Sequence, residues 1–398
     1  MSEGQFDLMV AGGGPAGLAA ACLMASRGSK VALVLGNATP GGDPRTVALM
    51  QPAIRLLTHI GVWPGLLIEH SAPLKRLRLV DDMKGAVTAP EIIFDSSELG
   101  GDEPFGWNIP LAHLIPALHA KAVSLGVALY PVDAVDFVAG PELAVVRLCD
   151  DDKLSAPLVL AADGRDSRLR AAAGIAVDAW EYDQSAVATS FSHSASHRDT
   201  STEYHRPGGP FTTVPLPGLR SGLVWMERPE RARVLMTLDD ARLASEIQLA
   251  THGELGRIGA IGPRRLFPMR GLKAREMAVP RLMLVGEAAH VVPPIGAQGL
   301  NMSFRDIAEV YDIIGKFGDL GSKEAIAAYK AARTADIVPR QTAIDLMNRS
   351  LLADLTLVNG ARAAALAAIG NFGPLRRFAM RRGLQPPGAL PGIMRTHI

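Results

Sequence analysis

Hydrophobic and polar positions change their spacing twice within the first 35 residues. Residues 6–10 (FDLMV) form a short apolar run that ends in glycines, as a buried strand does. Residues 15–27 (PAGLAAACLMASR) are dense in Ala and Leu and open on a proline, which suits the first turn of a helix. Residues 30–35 (KVALVL) return to a strand pattern. Strand, turn, helix and strand joined by a right-handed crossover make two parallel neighbours. The same reading predicts helices at residues 46–60 and 113–125. It predicts strands at 143–148 and 157–162, the second running into the turn ADGRDS.

From about Asp178 the pattern shortens. SAVATSFSH, FTTVPLP, GLVWME and RVLMTL are brief β-favouring stretches separated by Gly, Pro or Arg-rich turns, and they predict an antiparallel sheet on which a substrate could rest. Residues 74–94 share that texture, so this second unit is discontinuous. A buried strand returns at residues 281–286 (RLMLVG), and from Asn301 onward the pattern is mostly helical, with an irregular end at GLQPPGALPGIM. The expected fold class is α/β: a Rossmann-like domain with a parallel sheet, a smaller, mostly antiparallel substrate domain, and a helical C-terminal region. The boundaries are 1–72, 104–177 and 271–335 for the first, 73–103 and 178–270 for the second, and 336–398 for the third.

Composition narrows the function. A length of 398 residues allows two or three structural units, at about 100–200 residues each. The formal net charge of +1 leaves no broad basic surface, which argues against bulk nucleic-acid binding. Two cysteines, Cys22 and Cys149, are too few for a disulfide framework or a metal knuckle, and a reducing cytoplasm is the expected location. Neither a signal peptide nor a run of about 20 apolar residues is evident. His193 and His197 read as a strand end or polar loop, so no metal site is expected. No H-E-x-x-H, G-x-S-x-G or Cys-x-x-Cys motif supports a zinc or hydrolase reading.

Three glycine turns carry the chemistry. Gly12, Gly14 and Gly17 form G-x-G-x-x-G between a strand and a helix. The first permits the tight turn, the second lets a pyrophosphate approach, and the third allows close helix packing. Asp163 and Gly164 close a strand in ADGRDSRLR, which on its own reads as a plain turn. In residues 282–306 a strand ends at Gly286, a Pro-Pro pair stiffens the loop, and Gly296 to Asn301 open a helix whose amides would favour an anion.

In this order, GGGPAG, ADGRDSRLR and GEAAHVVPPIGAQGLN resemble the single-component FAD-dependent aromatic hydroxylases, the superfamily of p-hydroxybenzoate hydroxylase, over about residues 6–350. AYKAARTADIVPRQTAIDLMNRSLLAD and GALPGIMR are similar to the ubiquinone-biosynthesis hydroxylases of the 2-polyprenyl-6-methoxyphenol hydroxylase type, which act on polyprenylated phenols. The resemblance implies a resident FAD with NAD(P)H as a visiting cosubstrate, and hydroxylation of a phenolic ring by O2 through a flavin hydroperoxide. It implies that Gly12, Gly14, Pro15, Ala16 and Gly17 hold the pyrophosphate. Arg45, Asp163, Gly164 and Glu287 would then lie along the FAD, with Pro294, Gly296, Gln298, Gly299, Leu300 and Asn301 beside the flavin ring. Glu287 stands where the family usually has Asp, and Ala297 agrees less well with its consensus.

Leu35 departs further, since relatives often carry Glu there for the adenosine ribose; a backbone group, Asn37 or Arg45 would have to serve. Leu111 and Ala112 replace the family's Asn-Arg. His290 is the one weak catalytic candidate, and a packed histidine is the alternative. Tyr204, Phe211, Trp225 and Met226 are candidate walls for an aromatic substrate, or ordinary sheet packing. A prenyl tail would keep the substrate in the bilayer, so residues 351–382, with Arg376, Arg377, Arg381 and Arg382, could meet the inner face of the cell membrane. A ubiquinone-biosynthesis protein complex would be a further partner. The alternatives are a hydroxylase of a free small aromatic compound, a flavin-dependent isoprenoid reductase, and a non-catalytic scaffold.

Overall fold

A computed structural model describes residues 4–36, 43–83, 89–352, 356–384 and 390–395. The expected strand, turn, helix and strand are Leu8–Ala11, the glycine turn, Pro15–Ser26 and Val31–Val34. They sit at the middle of a sheet with the order Ala278–Val279, Leu282–Leu284, Val159–Ala161, Leu8–Ala11, Val31–Val34, Ala128–Tyr130. All neighbours are parallel except the first pair. The strands read as continuous apolar runs because both faces are covered. Helices Pro15–Ser26, Leu111–Ser124 and Gln298–Ile314 bring Leu18, Leu23, Met24, Leu118 and Phe304 into the core with Met9, Leu33, Leu160 and Met283. Each such side chain contributes about 1.5–3 kcal/mol by leaving water. Cys22 belongs to this core, its thiol donating to the Leu118 carbonyl, and burial pushes that thiol up to about 12.

The long strand Val177–His193 organises the second sheet. Among the described residues that sheet runs His290–Val291, Arg265–Ala274, Val177–His193, Arg220–Glu227, Phe211–Leu216, Thr200–His205, Arg76–Asp81, Ile92–Asp95. Its pairings are antiparallel apart from Arg76–Asp81 on Thr200–His205. The expected α/β class holds, with the parallel sheet, the separate antiparallel sheet and the helices Lys323–Leu352, Thr356–Asn371 and Gly373–Leu384 after them.

Two expectations are corrected. Residues 46–60 are not one helix: Thr46–Met50 is a strand paired with Gly106–Pro110, and the helix is Gln51–His59. Pro52 lies in its first turn, where a missing N–H costs nothing, and so marks the helix start. The stretch RVLMTL is not a strand but lies mostly in the helix Pro229–Thr237, which opens on Pro229 and buries Ala232 and Leu235 against the second sheet. Among the described residues no helix is long and apolar enough to cross a membrane.

Candidate active site

The first glycine turn is built by contact. Gly12 has φ +127°, and a Cβ on it would lie 2.1 Å from the Ala162 carbonyl oxygen. A Cβ on Gly17 would lie 1.9 Å from the Gly12 oxygen, so the helix can approach the strand only without one. Gly14 differs: nothing lies within 4 Å of its Cβ position. Pro15 opens the helix with no side-chain cap and no acid in the first turn. Such an end favours an anion by about 0.3–1 kcal/mol, more when partly buried.

The other two turns meet the first. Asp163 accepts from Ser167 Oγ at 2.5 Å and from Leu169 N at 3.2 Å, which ties its turn to the helix Arg168–Ala172. Gly164 has φ +85° with open space at its Cβ position. The buried Arg170 guanidinium donates to the Arg165 and Ala288 carbonyls, both at 2.9 Å, and so clamps the second turn to the third. Gly286, at φ +63°, leaves 3.5 Å between its Cβ position and Ala16 Cβ. Segments some 120–150 residues apart thus share one edge of the parallel sheet.

Beyond Gly286 the chain reaches the start of Gln298–Ile314. Ile295 is buried, while Pro294, Gly296 and Gly299 are exposed and Leu300 is half-buried. Gly296 and Ala297 are both left-handed, with φ +62° and +55°. This helix also begins with no side-chain cap and no acid. Gln298 Nε2 donates to the Gly296 carbonyl at 2.9 Å, and its Oε1 accepts from Arg340. Asn301 faces the protein: its Oδ1 accepts from Met50 N at 2.9 Å, and its Nδ2 donates to the Ala48 and Ala297 carbonyls. It pins the loop to the strand Thr46–Met50.

Behind this helix start lies a charged cluster. Asp306 is fully buried and accepts from Gly286 N at 2.9 Å, His290 Nε2 at 2.8 Å and Arg333 Nε at 2.7 Å. Burial alone would raise its carboxyl, but the His290 and Arg333 charges and these hydrogen bonds hold it below the ordinary range. Asp336 joins Arg305, Arg333 and Arg340 at 3.0–3.1 Å. Burial lowers Arg305 to about 10, with Asp336 opposing. His290 is 2% exposed, and its ring serves this cluster.

Sequence reasoning passed over Arg170, Asp306 and Arg333. No local signal marked them, since charged residues on a helix read as a solvated face until their burial and partners are known.

Glu287 is exposed on the third turn, and Arg45, just before the strand Thr46–Met50, is half-buried. The Arg45 guanidinium binds Asp43 through Nε and Nη2, at 3.0 and 2.6 Å, and lies 5.0 Å over the Phe267 ring. Burial would raise Asp43, but the Arg45 hydrogen bonds and charge hold its carboxyl low. Glu287 adds to the field that keeps Arg45 charged.

Around Ala297 an apolar cluster gathers Ala48, Met50, Leu74, Phe105 and, from the helix Gly373–Leu384, Met380. Tyr204, Phe211 and Trp225 pack instead with Leu235 and Ile247 on helices Pro229–Thr237 and Asp240–Ala250. Met226 takes the opposite face of that sheet, with Tyr182, Ala186 and Phe267. His193 and His197 are each engaged by protein oxygens, and among the described residues no group of three or more potential ligands could hold a metal. Asn37 lies outside the described residues.

Over residues 5–341 the chain matches the sequence family described as the FAD binding domain. It is 30% identical to a ubiquinone hydroxylase of Rhodospirillum rubrum, across 97% of this chain and 93% of that protein. It is 28% identical to the 3-demethoxyubiquinol 3-hydroxylase of Escherichia coli, across 96% of this chain and all of that one. In fold it resembles the p-nitrophenol 4-monooxygenase of Pseudomonas putida DLL-E4, with a TM-score of 0.78 at 17% identity over 98% of this chain and 100% of that one. The glycine cradle, with its open space at Gly14 and two uncapped helix starts, fits an anionic dinucleotide, and the chain belongs to the FAD-binding-domain family as a flavin-dependent hydroxylase.

Proposed function

We propose that this hydroxylase acts on a polyprenylated phenol of ubiquinone biosynthesis, with NAD(P)H as electron donor, while resting on an anionic membrane surface. The observation that carries the reading is the junction at Ala297. There the glycine loop meets an apolar cluster, and the helix supplying Met380 to it also has Leu375 and Phe378 exposed, at 36% and 55%. An apolar ring can rest against that cluster while its tail leaves along the helix. Each CH₂ of a tail left in the bilayer is worth about 0.8 kcal/mol, so the enzyme must go to the substrate. Arg377 and Arg381 are exposed one turn apart on the same helix, and each adds about 1 kcal/mol near anionic lipid. Arg376 is spent differently: it holds Glu98 at 2.9 Å and the Gly370 carbonyl. Residues 353–355 and the Arg382 side chain lie outside the described residues.

In this reading Gly12, Gly14, Pro15, Ala16 and Gly17 receive the pyrophosphate, and Arg45, Asp163, Gly164 and Glu287 lie along the dinucleotide. The exposed Pro294, Gly296 and Gly299 and the half-buried Gln298 and Leu300 would hold the flavin ring, with the loop kept in shape by Asn301. FAD, when bound and reduced, supplies the activation of O2 and the transfer of one oxygen atom to an electron-rich ring. The protein's part is positional. Two helix starts offer amides to negative charge, the apolar cluster orients the phenol and keeps water from it, and the Asp306 cluster holds the loop rigid. His290, bonded to Asp306, positions that loop and takes no proton from substrate.

The test combines purified protein, FAD and either nicotinamide with two phenols, one polyprenylated in anionic vesicles and one short and water-soluble. The expected result is a flavin spectrum, pelleting with the vesicles, and NAD(P)H oxidation matched by O2 uptake and one added hydroxyl, faster on the vesicle-borne phenol. Faster turnover of the soluble phenol without pelleting would move the substrate to a free aromatic compound. Oxidation of NAD(P)H with a double bond reduced and no O2 consumed would make the chain a reductase.

A further inference from the structure

At the end of the strand Val31–Val34 a dinucleotide-binding unit usually offers an acid to the ribose hydroxyls, and here the position is Leu35. Its backbone groups are already engaged within the protein. The Leu35 N–H donates to the Tyr130 carbonyl at 2.9 Å, and its carbonyl accepts from Gly13 N at 3.0 Å. Of the two side chains that the sequence offers instead, Arg45 is bound to Asp43 through two nitrogens, and Asn37 lies outside the described residues.

The next residue leads to a different side chain. Gly36 has φ +67°, and its N–H donates to the Val132 carbonyl at 3.0 Å. A Cβ on Gly36 would lie 3.0 Å from Asp133 Oδ1. The carboxylate of Asp133 therefore stands against the backbone one residue beyond Leu35. It comes from the segment after Ala128–Tyr130, the strand that flanks Val31–Val34 in parallel. In an open α/β sheet the ligand lies across the carboxyl ends of such strands. Leu8–Ala11, Val31–Val34 and Ala128–Tyr130 end side by side, with the phosphate-facing turn on the first of them. The side chain of Asp133 is 27% exposed and has Arg168 Nη1 at 3.4 Å, from the start of the helix that follows the ADGRDS turn. The backbone of Asp133 is held separately, by the Cys149 N–H on its carbonyl at 2.9 Å, so the side chain can be changed while that hydrogen bond is kept.

We propose that Asp133 supplies the carboxylate that accepts from the adenosine ribose of FAD, in place of the acid missing at Leu35. The inference rests on the flavin reading above. It makes Asp133 a binding residue for the adenosine half alone, since the flavin ring lies at the far end of the dinucleotide, beside Gly296 to Leu300.

The experiment titrates apoprotein with FAD and, separately, with FMN, which lacks adenosine, following flavin fluorescence. Asp133→Ala should weaken FAD about tenfold to a hundredfold, the value of a hydrogen bond to a charged acceptor, and leave FMN affinity unchanged. Adding Leu35→Glu to Asp133→Ala should restore FAD affinity. Unchanged FAD affinity in Asp133→Ala overturns the inference. Equal losses for FAD and FMN also overturn it by showing a structural role. A double variant that recovers nothing overturns the claim that the two positions serve the same hydroxyls. A wild-type chain that takes up no FAD defeats the flavin reading itself, which is a distinct result.

Discussion

Two helices begin beside the same edge of the parallel sheet, and they are held there by opposite means. Pro15–Ser26 contains no charged residue and is fixed by close packing, glycine against carbonyl oxygen at Gly12 and Gly17. Gln298–Ile314 is fixed from behind by buried charge, with Asp306 collecting Gly286, His290 and Arg333. The first arrangement is short-ranged and tolerates no added atom. The second tolerates no lost partner, because a buried ion without its counterion keeps the whole cost of leaving water.

The largest effect separating the two should come from Asp306→Ala. It takes from the Arg333 guanidinium, which is 2% exposed, the nearer of its two carboxylates, leaving Asp336 at 3.0 Å, and it releases the Gly286 N–H and His290 Nε2. Removing one partner of a buried pair costs about 3–5 kcal/mol, to be read from the urea midpoint. The pH dependence carries the same signature. The Asp306 carboxyl is held below its ordinary 3.8, so its contribution is complete above that value and is lost as the pH falls through the lower folded-state value. Stability of the wild type should therefore drop in acid more steeply than that of Asp306→Ala. Parallel acid limbs would show that the cluster is not what holds the second helix.

A smaller loss, about 3 kcal/mol or the upper range for one carbon forced into packed structure, is expected for Gly17→Ala. Its Cβ position lies 1.9 Å from a backbone oxygen, which no rotamer change relieves. The helix must move off the strand, and the amide face beside Gly14 moves with it. Flavin retention on gel filtration should fall further than stability does. A variant that keeps its flavin would mean that this turn has slack the packing does not suggest.

The contrast also explains what could be read from the chain alone. Gly12, Gly14 and Gly17 were legible because their requirement is local: a positive φ, a close approach and a helix contact lie within six residues. The parallel sheet was legible because both its faces are covered and its strands are continuously apolar. Asp306 and Arg333 were not, because they are 27 residues apart and a buried ion pair uses the same residue types as a solvated helix face. Arg170 hid in the same way within ADGRDSRLR, although its partner at Ala288 is what joins two of the three turns. The helix starts at Pro52 and Pro229 were visible in principle, since each proline stands in a first turn. Apolar stretches, TVALM before one start and RVLMTL within the other helix, obscured them.

The smallest effect sits where the two modes meet. Ala297 holds φ +55° without being glycine, at the start of the charge-held helix, and its methyl packs on the apolar cluster with Met50 and Phe105. A left-handed residue with a Cβ costs about 1–2 kcal/mol. Against this, losing a half-buried methyl costs up to about 0.8 kcal/mol. The backbone term is the larger, so Ala297→Gly should raise stability by about 0.5 kcal/mol in urea titration. The same change removes a wall atom between the glycine loop and the cluster proposed to seat the phenol ring, so KM for the phenol should rise while flavin affinity stays level. A fall in stability would instead mean that the methyl contact outweighs the backbone strain, and that Ala297 is retained for packing rather than tolerated at the mouth of the site.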